Sequence, residues 1–432
     1  MRINLSLIVF GLTVQSMLAA DFVISSLNPS GEISWGNATP VGVVSLLTAT
    51  NPAGSWRPQA NYFTTQSTGG AWLSPASGNL FYRLLSVDIS TNSPQHFANL
   101  LHSYGLLETL AGTNQPGGGV DGYNYWRPSY EGGWATQACL SRPHIAFADP
   151  DNHILIVDQG SDSVLKVTAD GRIRTFAGTH ARGFNAFEGW ATNVQLNLPN
   201  GGWMREDGVF YILDTENNLI RRVATNGYLT TLVTNADTGH DGRGLWVKSD
   251  ESVAYWCALT VLRKWTPAGG VATLPRVFSD LANLVGDERT GDLYICDRGV
   301  HRVYRLATNG TLFPFAGNGT TSPRTEGLPV LQFGFNKPRG LCFLPNGGYL
   351  ICEHSPGNCV WYVDPEGKVH RWLYGNSNNN AYAGDGGWFY ANPSLAAISK
   401  PRSIVTDRRG NLIMVENDIG FVRRIRFQRM NP

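Results

Sequence analysis

Charge is scarce in this chain. Only 16% of its 432 residues are Asp, Glu, Lys or Arg, and 34 basic residues against 33 acidic ones leave a formal net charge of +1. A nucleic-acid partner would need a basic stripe that this balance does not supply. Disorder is excluded from the other side, because 42% of the residues are apolar. Long apolar runs are also lacking. After the first 20 residues no stretch is long enough to span a bilayer as a helix. The six cysteines include no C-x-x-C spacing, which excludes a zinc ribbon or dithiol redox motif. What is plentiful is glycine (49), with 13 Trp and 16 Tyr, a composition suited to a turn-rich, all-β protein.

Residues 141–179, SRPHIAFADPDNHILIVDQGSDSVLKVTADGRIRTFAGT, set the pattern. HIAFA, ILIVD, VLKVT and RIRTF are short period-2 runs separated by Asp-Pro-Asp-Asn, a polar QGSDS stretch and Asp170-Gly171. Apolar alternation bounded by Asn, Asp, Gly and Pro is the hairpin signature. A four-stranded sheet of this size cannot bury both faces alone, so it implies stacking on copies of itself. Copies occur at 196–234, 241–279, 281–318 and 336–375, and a last one at 400–427 stops after its third strand. The missing strand stands upstream as LLETLAGT (106–113), which matches RIRTFAGT. A first strand that completes the last sheet closes a ring and removes the exposed edge. The expectation is an all-β six-bladed β-propeller over 106–428, closed by strand 106–113.

The strings KPRGLCFLPNGGYLIC, DRGVHRVYRL and ATNGYLTTL resemble NHL repeats. EGGWATQACLSRP (131–143) and EGWATNVQLNLP (188–199) resemble the GDGGPATxAxLxxP linkers of secreted bacterial NHL proteins. The resemblance spans residues 105–428 and implies the propeller fold, not a particular activity.

Upstream of the propeller, residues 1–20 combine Arg2, the apolar run LSLIVFGLTV and a small-residue end at Ser16–Ala20, which reads as a secretory signal peptide. Leu18 fits the −3 position poorly, so an uncleaved anchor is the alternative. The expected location is periplasmic or extracellular, with no membrane span once the signal is removed. Residues 21–92 carry FVISSL, EISW, VGVVSLLTAT, YFTTQS and LFYRLLSVDI, enough for a small β-sandwich of fibronectin or immunoglobulin type. Its expected role is packing against the propeller, or attachment. Ser93 as N-cap, Pro94 in the first turn and Gly105 past the end predict a linker helix over QHFANLLHSY, within 93–105. Of the cysteines, Cys257, Cys296, Cys342 and Cys352 fall inside strands as small apolar residues, and Cys352 with Cys359, flanking a hairpin turn, form the best disulfide pair.

Propeller topology gathers three sets of residues on one face. His144, Asn200, Arg243, Ala282, Arg339 and Arg402 open the inner strands at the channel mouth. Asp158, Asp214, Cys257, Asp297, Glu353 and Glu416 end the second strands. The offset is fourteen residues in five repeats and fifteen in the other, so folding each hairpin about its turn sets the members opposite one another. In one reading Arg339–Glu353 and Arg402–Glu416 are ion pairs within a sheet, while Asp158 and Asp214 cap turns. In the other, Arg243, Arg339, Arg402 and Asn200 form a polar mouth for an anionic or polyhydroxylated ligand. Arg243, facing Cys257, either awaits a carboxylate or phosphate or reaches sideways to Asp297. His144 beside Asp158 is the one pair with catalytic chemistry, a carboxylate holding an imidazole for general-base work.

Resemblance also brings in two propeller enzymes. Peptide-amidating lyases hold zinc on His residues, some following Pro, and only His144 matches. Gluconolactonase-like propellers hold a dication on Glu, Asn and Asp, whereas this ring has three Arg and no carboxylate. No metal or cofactor is expected.

The third set is the linkers 113–140, 179–195, 318–335 and 375–399, rich in aromatics including Trp134, Trp190 and Trp388. Exposed rings there suit sugars or protein partners; otherwise they pack between blades. Glu131, Glu188, Glu326 and Asp385 recur at matching linker positions and suit backbone bracing. The reading as a whole is an exported binding protein for a glycan, peptide or protein partner. Its alternative is a lactonase- or lyase-like enzyme centred on the channel mouth.

Overall fold

The computed structural model describes residues 22–28, 31–73, 80–113, 123–239, 242–373, 385–386 and 398–429. The segment expected to be a signal peptide, and Trp388, lie outside these residues. Among the described residues, no helix is long and apolar enough to cross a membrane.

Six antiparallel sheets follow one another along the chain. Their inner strands are Pro143–Ala148, Pro199–Met204, Arg243–Val247, Leu281–Gly286, Pro338–Phe343 and Pro401–Thr406, in sheets I to VI respectively. Each sheet runs outward strand by strand in chain order; sheet I continues through Ile154–Asp158 and Ser163–Val167 to Ile173–Ala177. Sheet VI takes its outermost strand from upstream, Leu107–Ala111 pairing antiparallel with Phe421–Ile425. Inner strands neighbour one another in sequence order, and the inner strand of sheet VI neighbours that of sheet I, so the series closes on itself. This is a β-propeller arrangement.

Closure is a matter of burial as much as of hydrogen bonding. One apolar cluster fills each gap between successive sheets. Ile145, Leu155 and Val157 of sheet I meet Phe210 and Ile212 of sheet II, for example. Between the last sheet and the first, Ala111, Ile413, Val415 and Val422 meet Ala146, Ile156 and Leu165. Second strands such as Ile154–Asp158 are buried at every position because both faces of the sheet are covered.

Two three-stranded sheets precede the propeller. Val23–Leu27, Glu32–Gly36 and Gly69–Trp72 form one; Gly42–Ala49, flanked by Arg57–Thr64 and Phe81–Asp88, forms the other. Ile33, Trp35, Val44, Leu46 and Leu84 make their shared core. Gly42–Ala49 is buried at all eight positions, because its second face turns to the propeller. There Val43 joins Leu100 and Tyr104 in the core between sheets V and VI. Docking is aromatic: the Phe63 ring stacks on Phe427 at 4.3 Å, and Phe97 stacks on His370 at 4.6 Å.

The connecting helix spans His96–His102, starting one residue later and ending two residues earlier than QHFANLLHSY suggests. Gln95 is its N-cap and makes no side-chain cap bond, while the Ser93 carbonyl accepts from the His96 amide at 3.1 Å. None of the six cysteines is in a disulfide. The expected Cys352–Cys359 bridge is ruled out by register. Cys352 faces Val360 and Cys359 faces Glu353, so the two sulfurs leave the sheet on opposite sides.

Candidate functional site

The inner-strand ring forms as the sequence suggests. His144, Asn200, Arg243, Ala282, Arg339 and Arg402 line one central cavity. The pairing with the carboxylates does not. Each inner strand carries a bulge near its start. Asp158 pairs with Pro143, Asp214 with Pro199, Glu353 with Pro338 and Glu416 with Pro401, which leaves His144, Asn200, Arg339 and Arg402 unpaired. The extra residue in a bulge is re-aimed, and here it turns into the channel. The fourteen-residue offset therefore misleads by one position in these four sheets, whereas in sheet III Arg243 does face Cys257.

The carboxylates point the other way. Asp158 accepts from the Ser141 amide at 2.7 Å, Asp214 from Asn197 at 2.8 Å, Glu353 from Asn336 at 2.6 Å and Glu416 from Ser399 at 2.7 Å. In all four sheets the next residue, Arg142, Leu198, Lys337 or Lys400, has positive φ, so the carboxylate pins a turn that ordinary residues disfavour. Burial pushes Asp158 and Glu416 up to about 7. The expected salt bridges are thus replaced: Glu353 pairs with Arg324 at 2.6 Å, and Glu416 with the buried Arg423 at 3.4 Å. Arg243 reaches Asp280 at 3.4 Å rather than Asp297, whose oxygens hold the Ser279 and Asp280 amides. The His144–Asp158 dyad is absent, since neither His144 ring nitrogen has a hydrogen-bond partner.

At its ring end the channel encloses about 20 Å3, room for one water-sized occupant and no substrate. Its far end differs. There the inner strands finish around an apolar cavity of about 330 Å3, lined by Phe147, Met204, Val285, Phe343 and Val405 among others. Thr406, Asp407 and Arg408 are shared between that cavity and a larger cleft of about 760 Å3. This cleft runs between the N-terminal sheets and sheet VI. Tyr62, Phe63, Trp72, Tyr82 and Phe427 supply its aromatic wall; Gln59, Asn61, Asp407, Arg408 and Arg409 supply the polar one. Trp72 is 68% exposed. Sequence reasoning missed the cleft, although Arg408-Arg409, a basic pair in a hairpin turn where the other repeats have none, was a usable signal.

Trp134 and Trp190 belong neither to the ring nor to the cleft. Trp134 bridges Arg172, whose guanidinium lies 3.8 Å above its ring, and Trp190 pairs with Tyr228. Both mark where an outermost strand begins, at the end of the sheet opposite the ring, because the linkers descend along the outer edge. Three of the linker acids, Glu131, Glu326 and Asp385, do brace backbone. Glu131 accepts from the Thr175 amide at 3.0 Å, Glu326 from Arg371 at 3.0 Å and Asp385 from Thr109 at 3.0 Å. In sheet II the Phe187 carbonyl accepts from the Thr231 hydroxyl in the corresponding place.

Set against known proteins, the chain is 24% identical over 233 residues to NHL repeat-containing protein 2 of Gallus gallus. That match covers 51% of this chain and 28% of the relative's length. The chain carries NHL-like repeats folded as a β-propeller. No family model matches. Among solved structures, this NHL-like propeller is similar to a structural genomics protein of unknown function from Bacteroides thetaiotaomicron, with TM-score 0.58, 13% identity and coverage of 94% and 98% of the two chains. It is also similar to an auxiliary nutrient binding protein from the same organism, with TM-score 0.54, 14% identity and coverage of 94% and 97%. Both matches extend over nearly the whole of each chain, N-terminal sheets included. At such identities the likeness is one of fold.

Proposed function

We propose that this chain is an exported binding protein, a six-bladed NHL-like propeller preceded by a sandwich-like domain, and that it holds a glycan in the cleft between the two. One observation carries this reading. The cleft's volume of about 760 Å3 falls within the usual range of ligand sites, and it combines flat aromatic rings with guanidinium and amide donors. Aromatic faces pack on the apolar faces of sugar rings, while fork-shaped donors and carboxamides meet hydroxyls. Clefts between domains are favoured places for such sites. The likeness in fold to a protein named as an auxiliary nutrient binding protein supports a binding role.

Among the described residues, the ring itself, where the sequence put the ligand, encloses only about 20 Å3. Peptide and protein partners are the competing occupants of the cleft. Glycan array screening followed by calorimetry tests the reading. An oligosaccharide should bind, and Trp72→Ala should weaken it by about tenfold or more, ~1.4 kcal/mol, without moving Tm. Binding that ignores Trp72→Ala but falls with Trp134→Ala or Trp190→Ala would sink the cleft as the site.

A further inference from the structure

Among the described residues, the ring at the narrow end of the channel is lined by three arginines and no carboxylate. Arg339 and Arg402 are 4% and 6% exposed, and Arg243 is 9% exposed. Arg142 and Arg298 add to the field acting on Arg339, and Lys400 stands nearby with His354. Among the described residues, the nearby carboxylates already have partners: Asp280 is shared by Arg243 and Arg298, and Asp418 holds Lys400 at 2.6 Å. Arg402 donates to the Asn417 side-chain oxygen at 2.9 Å, a neutral partner. Burial and then the neighbouring arginines pull Arg339, Arg402 and His144 well below their ordinary pKa ranges. A guanidinium nevertheless keeps its proton in proteins, so these arginines stay charged in a buried setting.

Polar atoms are also orphaned there. The Arg339 Nε, both Asn200 side-chain polar atoms and both His144 ring nitrogens are buried without a hydrogen-bond partner. His144 and Asn200 are 3% and 4% exposed, and all three residues line the cavity. Buried charge without a counter-charge is costly, and donors of this kind left idle ordinarily mark an occupant. The guanidiniums make the set donor-rich and favour a negative occupant, while the Asn200 Oδ1 and one ring nitrogen of neutral His144 remain as acceptors. The occupant must also be small, because about 20 Å3 accommodates one water-sized body and excludes sulfate, phosphate or a sugar.

We propose that the ring binds one halide-sized anion between His144, Asn200, Arg339 and Arg402, as a structural counter-ion that ties the inner strands together. The site is separate from the cleft and does not depend on what the cleft binds.

Crystals of the full chain soaked in sodium bromide, with data collected at the bromine edge, give the direct test. An anomalous peak bounded by Asn200, Arg339 and His144 is expected. In solution, Tm at constant ionic strength should rise saturably when gluconate is replaced by chloride or bromide, as for any ligand specific to the folded state. Asn200→Asp supplies a built-in anion, so it should raise Tm in gluconate and flatten the halide dependence. An empty ring in the bromide crystals, or equal Tm in gluconate and chloride, would overturn the proposal and leave water as the occupant. Should Asn200→Asp fail to fold, the bromide map and the wild-type titration still decide the matter.

Discussion

Phe427 sits where three parts of the molecule meet, and replacing it with Ala should loosen all three. It is 3% exposed. Its ring stacks on Phe63 of the N-terminal sheets at 4.3 Å and meets Tyr104, just past the helix, at 4.9 Å. It also lies against Gly410, where an added Cβ would come within 2.7 Å of the ring. Removing a buried Phe costs about 3–5 kcal/mol. The unfolding entropy of a 432-residue chain, at ~2.1 cal/mol/K per residue, is about 0.9 kcal/mol/K. If the molecule melts as one unit, Phe427→Ala should therefore lower Tm by roughly 3–6 °C. If the N-terminal sheets release first, calorimetry should show a separate, earlier transition, and limited proteolysis should cut within residues 22–105. A double-mutant cycle with Phe63→Ala isolates the stacking contribution, expected at about 0.5–1.5 kcal/mol. Unchanged Tm in Phe427→Ala, or strictly additive single effects, would refute the idea that this aromatic seam docks the N-terminal sheets.

Two further outcomes follow from the buried ionisable groups. Arg423 is fully buried between Glu416 and Asp385, so Arg423→Met should destabilise by about 3–5 kcal/mol. Much of that loss should return when Glu416 is also made Gln, which removes the charge but keeps an acceptor for the Ser399 amide; denaturant titration of the single and double variants checks this, and no recovery would count against an ion-pair origin. Asp158, pushed up to about 7 by burial from an ordinary 3.8, binds a proton more readily folded than unfolded. Its contribution is therefore fully present below the unfolded value and is lost as pH rises through about 7, an effect bounded by ~4 kcal/mol. Stability measured from pH 4 to 8 should decline less steeply in Asp158→Asn than in wild type, and parallel curves would show that the carboxyl titrates normally.

The propeller was legible because its instructions are local and repeated. Alternating runs, Asp-Gly and Asn-Gly turns and the displaced LLETLAGT strand each act over a few residues, and repetition makes them visible. The ring at the channel was legible for the same reason, since every inner strand places it at one position of the repeat. What those ring residues face was not. A single bulged residue, set by how the inner strands crowd the axis, separates His144 from Asp158 and Arg339 from Glu353. Alternation along a strand cannot reveal a one-residue slip that it does not itself cause. Trp134 and Trp190 lie at the end of the sheet away from the ring, because the path of a linker depends on which edge of the blade it pairs with.

The cleft shows the same division most plainly. VGVVSLLTAT announced a strand, but not the surface that would cover its second face. That surface is sheets V and VI, brought against Val43 and Phe63 by a helix whose own sequence only announced that it exists. The sequence by itself determined the strands, their turns, the repeat and the residues at the axis, all properties of short segments. Which carboxylate faces which arginine, how little room the ring leaves and where a ligand-sized space opens were decided by tertiary packing, because each depends on surfaces hundreds of residues apart in the chain.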